Sequence, residues 1–193
     1  RAEHHPEVDT GVHLMMVLDM AARLQAPLPV RYACLGHDLG KGTTPPAEWP
    51  RHIGHEARSA RLLKGLGERL RVPTACQELA DVVAREHGHI HGSAGLSPAA
   101  TLRLLERCDA IRKPERFEQA LLACECDARG RLGHEERDYP QAPRLMAALR
   151  AVLAVDTSVI AGAAMAAGLS GPRIGERIHQ ARVDALQALC DDA

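Results

Sequence analysis

A chain of 193 residues with 46% apolar side chains is long enough to bury a core of its own. Only 2% of the residues are aromatic, so that core has to be built from Leu, Ala, Val, Ile and Met. A formal net charge of −1 excludes a global basic field of the kind that draws in polyanions, and no apolar run is long enough to cross a bilayer, so no membrane partner is expected.

Good helix formers dominate and β-branched residues are sparse, which predicts an all-α fold, a helical bundle followed by a C-terminal helical extension. The first predicted helix covers Asp9 to Leu24, with Val12, Met15, Met16 and Met20 at helical spacing. After a Pro27-x-Pro29 turn, a second helix carries Val30, Ala33, Cys34 and His37 on one face and stops at Gly40. Residues 42–50 are rich in Gly, Thr and Pro and read as a loop.

A third helix runs from about Gly54 to Leu70 with Leu62, Leu63, Leu66 and Leu70 as its stripe, and a fourth starts at Pro73 and carries Leu79, Val83 and His87. Ser97-Pro98 reads as an N-cap with Pro at the first helical position, opening a helix that presents Leu102, Leu105 and Asp109 together. Three or four helices follow Pro114, the last with Ile174, Ile178, Ala181, Ala185 and Leu189 at 3.6 spacing. Residues 91–96 and 129–140 are the longest irregular stretches, and the second is taken as the boundary between a domain at 1–128 and a helical tail at 129–193.

Six cysteines fall mostly on apolar helix stripes, and the expectation is reduced thiols in a cytoplasmic protein. Cys124-x-Cys126 lacks the second pair that a zinc site needs. The chain begins without Met, close to a segment that looks functional, and reads as a piece of something longer.

Eleven histidines are present, and their placement carries the chemistry. His13 shares a face with Met16, Val17 and Met20. His37 follows Val30, Ala33 and Cys34, and His87 follows Leu79 and Val83. Asp109 follows Leu102 and Leu105. Four titratable residues are thus expected to point inward from four helices. One such histidine alone is usually a hydrogen-bonded core residue. Several together are costly to bury without a partner, and a divalent cation relieves them all at once. His37 and Asp38 lie roughly 100° apart around a helix, which still lets both reach one ion near its end. Mixed nitrogen and oxygen ligation suits Ni, Mn, Co, Fe or Zn, with Mg less natural.

His13, the pair His37-Asp38 and Asp109 resemble the metal ligands of the HD phosphohydrolase superfamily, and the string His37-Asp38-Leu39-Gly40-Lys41-Gly42 is similar to its most typical segment. More narrowly, nearly the whole chain is similar to the C-terminal half of bacterial CCA-adding tRNA nucleotidyltransferases of the multifunctional kind. The segments that carry this are residues 5–13, 39–46 and 49–52, Arg112-Lys113-Pro114, Asp127-Ala128-Arg129-Gly130-Arg131, Tyr139-Pro140-Gln141 and the tail from Gly168 to Arg182. In one departure from that family, Gly88 follows His87 where an acidic residue is expected.

The resemblance implies metal-dependent 2′,3′-cyclic phosphodiesterase, 2′-nucleotidase and phosphatase activity on nucleotide or RNA phosphates, often with nickel. It implies tRNA as the partner, met at its 3′ end and elbow in a full-length enzyme. CCA addition itself would belong to an N-terminal polymerase head absent from this chain. The ligands so implied are His13, His37, Asp38 and Asp109, around one ion. Asp38 would orient the attacking water. Lys41 would neutralise phosphate charge, or else is a solvated lysine at a helix end. Arg51 would line the substrate pocket and His55 would act as the acid, or else both are surface or supporting residues. His87 and His91 would support the ligands or serve a second ion, for which His55 is a further candidate.

His4, His5, His52, His89, His134 and His179 read as surface or structural. The run Arg103, Arg107, Arg112, Lys113 and Arg116 is open between tRNA contact and a solvated helix face. Two other functions stay open: a tRNA-binding module with a vestigial metal site, and a free-standing nucleotidase.

Overall fold

The protein is described by a computed structural model that covers residues 9–191. His4, His5 and the start of the similar segment at 5–13 lie outside these residues.

The fold is all-α, with no strand among the described residues. Its helices are α1 (Thr10–Arg23), α2 (Leu28–Gly36), α3 (His55–Leu70), α4 (Thr74–His91), α5 (Pro98–Arg107), α6 (Pro114–Arg129), α7 (Gln141–Leu153), α8 (Thr157–Ala166) and α9 (Pro172–Asp191). Two short 3-10 turns, Leu39–Thr43 and Pro46–Glu48, fill the loop between α2 and α3. No single described helix is long and apolar enough to cross a membrane.

Local signals set most boundaries. Asp9 caps α1, its carboxylate accepting from the amides of Gly11 and Val12 at 2.7 and 3.1 Å. Ser97 caps α5 with Pro98 behind it, and Asp156 caps α8. The second helix ends earlier than its pattern suggests. It stops at Gly36 and tightens into the 3-10 turn, leaving His37 at the helix end.

The fifth helix also ends early, which corrects the expectation for Asp109. It closes at Arg107 in a Schellman cap, where the amide of Asp109 bonds to the carbonyl of Glu106 and that of Ala110 to Leu105. Asp109 is the left-handed residue of that cap, with φ 54°, a role that Asp tolerates better than most residues.

The chain packs as two compact units. One holds, among the described residues, 9–92 together with Glu115–Ala142, with α2 and α4 at its centre and Val17, Val30, Leu79, Val83, Phe117 and Leu121 buried. Residues 129–142 belong to this unit, in which Tyr139 and Gln141 both reach His91. The other holds residues 93–114 and, among the described residues, 143–191, with Leu102, Leu105, Leu145, Leu149 and Leu186 buried. On α9 the expected stripe of Ile174, Ile178, Ala181, Ala185 and Leu189 is half-buried.

Two glycines allow close approaches that build the site. A Cβ on Gly40 would lie 2.2 Å from the carbonyl oxygen of His55, so only glycine lets the turn after Asp38 press against the start of α3. A Cβ on Gly130 would lie 2.6 Å from Cα of Val17, so the end of α6 touches α1 only because that residue is glycine.

Candidate metal centre

Five histidines and two aspartates meet inside the first unit. They come from α1 (His13), the end of α2 (His37, Asp38), the start of α3 (His55), the C-terminal half of α4 (His87, His91) and the last turn of α6 (Asp127). His13, His37, His87 and Asp127 are buried, and Asp38 and His55 are nearly so.

Four of the imidazoles are oriented in one way. Nδ1 of His13 donates to the carbonyl of Gly130 at 3.1 Å, that of His37 to Cys34 at 2.8 Å, that of His55 to His52 at 3.0 Å, and that of His87 to Val83 at 3.0 Å. A neutral imidazole whose Nδ1 carries the proton has a bare lone pair on Nε2. In all four, Nε2 is directed toward a carboxylate. His13 Nε2 lies 2.9 Å from Asp127 Oδ1, and His37 Nε2 lies 3.3 Å from Asp38 Oδ2 and 3.6 Å from Asp127 Oδ1. His55 and His87 Nε2 lie 3.2 and 3.7 Å from Asp38 Oδ1.

Three of these buried atoms, His37 Nε2, Asp38 Oδ1 and His55 Nε2, make no hydrogen bond. Nitrogen and carboxylate atoms facing one another at 3–4 Å have the spacing of neighbouring ligands around an ion whose bonds are about 2.0–2.2 Å long. The donor atoms form two groups that could each hold an ion: His13, His37 and Asp127, and Asp38, His55 and His87, with the atoms of each group within 4.8 Å of one another. Asp38 stands between them, with Oδ2 toward His37 and Oδ1 toward His55 and His87. The site therefore fits a divalent cation by its donor set, its tautomers and its unsatisfied atoms.

Without an ion, the two carboxylates and the histidines beside them shift one another. Burial by itself would push Asp127 up, but the neighbouring His37, with His13 and His91 close to its oxygens, holds it well below the usual carboxylate range. Burial opposes ionisation of Asp38 too, and His37, His55 and Lys41 overcome it. His37 is burdened by burial yet lifted well above its ordinary value by Asp38 and Asp127. His87 goes the other way, pushed down to about 4 by burial and by His37. Two ionised carboxylates at one buried point have a single lysine beside them. Lys41 Nζ sits 2.6 Å from Asp38 Oδ2.

Around this set lies a ring of supports. His91 Nε2 meets Asp127 Oδ2 at 2.7 Å, and the hydroxyl of Tyr139 donates to His91 Nδ1 at 3.0 Å. Arg131 approaches Asp127 Oδ1 at 3.5 Å. Ser59 accepts from the amide of Gly40 at 2.8 Å, which fixes the turn against α3.

The structure thus brings His13, His37, Asp38, His55, His87 and His91 together, with Lys41 at their edge. Asp109 stands outside both ligand groups, its carboxylate 2.5 Å from Nε of Arg112. Arg51 is exposed on the loop before α3. His52 is half-buried and bonded to Thr44 Oγ1 at 2.9 Å. His89 and His179 are exposed beside Glu86 and Glu106. Arg116 pairs with Glu78. None of the six cysteines is in a disulfide, and five are buried.

Asp127 is the residue that sequence reasoning missed. The signal was there, because Asp127 falls on the stripe of Phe117, Ala120, Leu121 and Cys124, all buried, just before the Arg129-Gly130-Arg131 segment.

An HD-domain family model matches residues 10–128, and the chain belongs to that family. Its similar relatives are named multifunctional CCA proteins. It is 69% identical to that of Polaromonas naphthalenivorans (strain CJ2) and 70% identical to that of Acidovorax sp. (strain JS42), in each case over 96% of this chain and 44% of the relative. With the protein of Leptothrix cholodnii it shares 63% identity over the same proportions. The chain thus spans a little under half the length of these relatives. No solved structure matches it.

Proposed function

We propose that this chain is the metal-dependent phosphohydrolase portion of a CCA-adding tRNA nucleotidyltransferase, which serves tRNA 3′-end maturation and repair. Its reactions are 2′,3′-cyclic phosphodiester hydrolysis, removal of 2′-phosphates and general phosphatase action on RNA ends or nucleotides. The observation that carries this is the convergence of bare imidazole Nε2 atoms on two buried carboxylates. The names and extent of the similar relatives support the tRNA context. In the longer protein, tRNA is met at its 3′ end and elbow, and nucleotide addition belongs to the N-terminal head.

In this reading one divalent ion, Ni, Mn, Co or Mg, is held by His13, His37, Asp38 and Asp127. Bound there, it supplies Lewis-acid polarisation of the phosphoryl group and a more acidic water. Asp38 remains ionised and orients the attacking water as an acceptor. Lys41, held beside Asp38, neutralises charge that develops on the phosphate, and Arg51 meets the incoming anion from the loop. His55 acts as the acid only after taking up a second proton, on Nε2, which it would pass to the departing ribose oxygen while its Nδ1 proton stays committed to the carbonyl of His52. His87 and His91 keep the ligands in place.

A two-ion centre is the second reading, favoured by the buried, unsatisfied Nε2 of His55 facing Asp38 Oδ1. Metal analysis of the purified chain separates the two, and hydrolysis of adenosine 2′,3′-cyclic phosphate by wild type and Asp38→Ala tests the function. Asp38→Ala is expected to lose both hydrolysis and metal while its helical circular dichroism is unchanged. A variant as active as wild type overturns the assignment.

A further inference from the structure

We propose that Trp49 is a stacking platform for the nucleobase of the substrate, so that the site selects phosphates carried on a nucleoside over bare phosphate esters. This rests on the phosphohydrolase reading above and names what that site recognises beyond the phosphate.

Trp49 is the only tryptophan of the chain and is 61% exposed. A single exposed apolar residue needs no explanation by itself. This one is held in place. Its indole Nε1 donates to the carbonyl of Thr44 at 3.1 Å, so the ring is anchored by its polar edge while most of its surface remains open. Thr44 is a buried hub: its hydroxyl bonds to His52 Nδ1 at 2.9 Å and to an Arg58 Nη at 2.8 Å, and its amide to the carbonyl of Lys41 at 3.1 Å. Arg58 also grips the carbonyls of Gly40 and Ile53.

This network runs straight to the metal centre. Lys41 pairs with Asp38, and the carbonyl of His52 orients His55, whose Nε2 faces Asp38. Two residues on one path, Thr44 and Lys41, and three on the other, Thr44, His52 and His55, therefore connect the anchored indole to the carboxylate between the two ligand groups. The loop that carries Trp49 also carries exposed Arg51. A phosphate held beside Lys41 would leave the rest of a nucleotide to extend over this loop. A fixed aromatic face there offers stacking to any base, without the specific hydrogen bonds that would select one base over another. The alternative role, a pin for the loop, would use the Nε1–H bond and not the ring face.

The two roles separate experimentally in the 193-residue chain. With one tryptophan, intrinsic fluorescence reports on this ring alone. Titration with adenosine 2′-monophosphate in the presence of chelator is expected to quench it, and glycerol 2-phosphate is not. In the metal-loaded chain, Trp49→Ala is expected to lower the preference for adenosine 2′-monophosphate over glycerol 2-phosphate, as a ratio of kcat/KM, by about 10-fold, with the change in KM. Trp49→Phe, which keeps a ring and loses the hydrogen bond, is expected to stay within about 3-fold of wild type. Absence of quenching, an equal loss on both substrates, or a Phe variant as poor as the Ala variant overturns the proposal. Wild type that quenches with the nucleotide yet hydrolyses neither ester refutes the phosphohydrolase reading and leaves the stacking site supported.

Discussion

His13 and Asp127 are 114 positions apart in the chain, yet Nε2 of one lies 2.9 Å from Oδ1 of the other in the buried interior of the first unit. The contact exists because Gly130 lets the end of α6 touch α1 and then offers its own carbonyl to His13 Nδ1. One glycine thus sets both the distance between the helices and the tautomer of the histidine.

Asp127→Asn is expected to weaken binding of Ni or Mn by at least 10- to 100-fold, because it removes the charge that His13, His37 and His91 all face. In the metal-free protein it should also cost about 3–5 kcal/mol, the penalty for breaking a buried charge pair. Asp109→Asn should leave metal affinity unchanged. Calorimetric titration of both variants is the check, and the reverse order would return Asp109 to the ligand set.

Tyr139→Phe removes the donor that fixes His91, whose other nitrogen meets Asp127. Metal affinity should fall by about 10-fold with a stability loss of about 1 kcal/mol. Denaturant unfolding in chelator, beside metal titration, separates the two effects.

The pH dependence of the metal-free protein is set by His87, whose folded pKa of about 4 lies below the ordinary 6.5. A histidine that resists protonation when folded costs stability as pH falls from 6.5 toward 4, because the unfolded chain takes up the proton first. The shift corresponds to a loss of about 3 kcal/mol across that window. His37 is shifted upward, so its contribution is already complete below pH 6.5 and is lost only as pH rises through its higher folded value. His87→Gln should therefore flatten the stability curve between pH 6.5 and 4 and leave its alkaline limb in place, as followed by chemical denaturation in chelator.

Gly40→Ala would place a methyl group 2.2 Å from the backbone oxygen of His55 and 2.7 Å from the amide of Ser59, atoms that cannot rotate away. The turn and α3 must separate, at a cost of about 1–3 kcal/mol or more. Because His55 rides on α3, hydrolysis should fall along with the melting temperature. A variant with wild-type melting and activity would show that the approach is not needed.

The amino-acid order by itself determined the helical class, most helix starts and the inward placement of His13, His37 and His87. These follow from local causes: caps such as Asp9 and Ser97, prolines at first turns, and apolar residues repeating every three to four positions. Only the tertiary structure decided which carboxylate completes the centre. Asp109 and Asp127 both extend apolar stripes in the sequence. The choice fell to a Schellman cap that turns Asp109 out of its helix and to a glycine that draws the end of α6 onto α1. The resemblance already suggested His55 and His87 as partners at a second ion, but their meeting with Asp38 depends on how closely the turn at Gly40 can press on α3. Helical periodicity states which side of a helix faces inward. It does not state which inward faces meet, and a metal site is a property of that meeting.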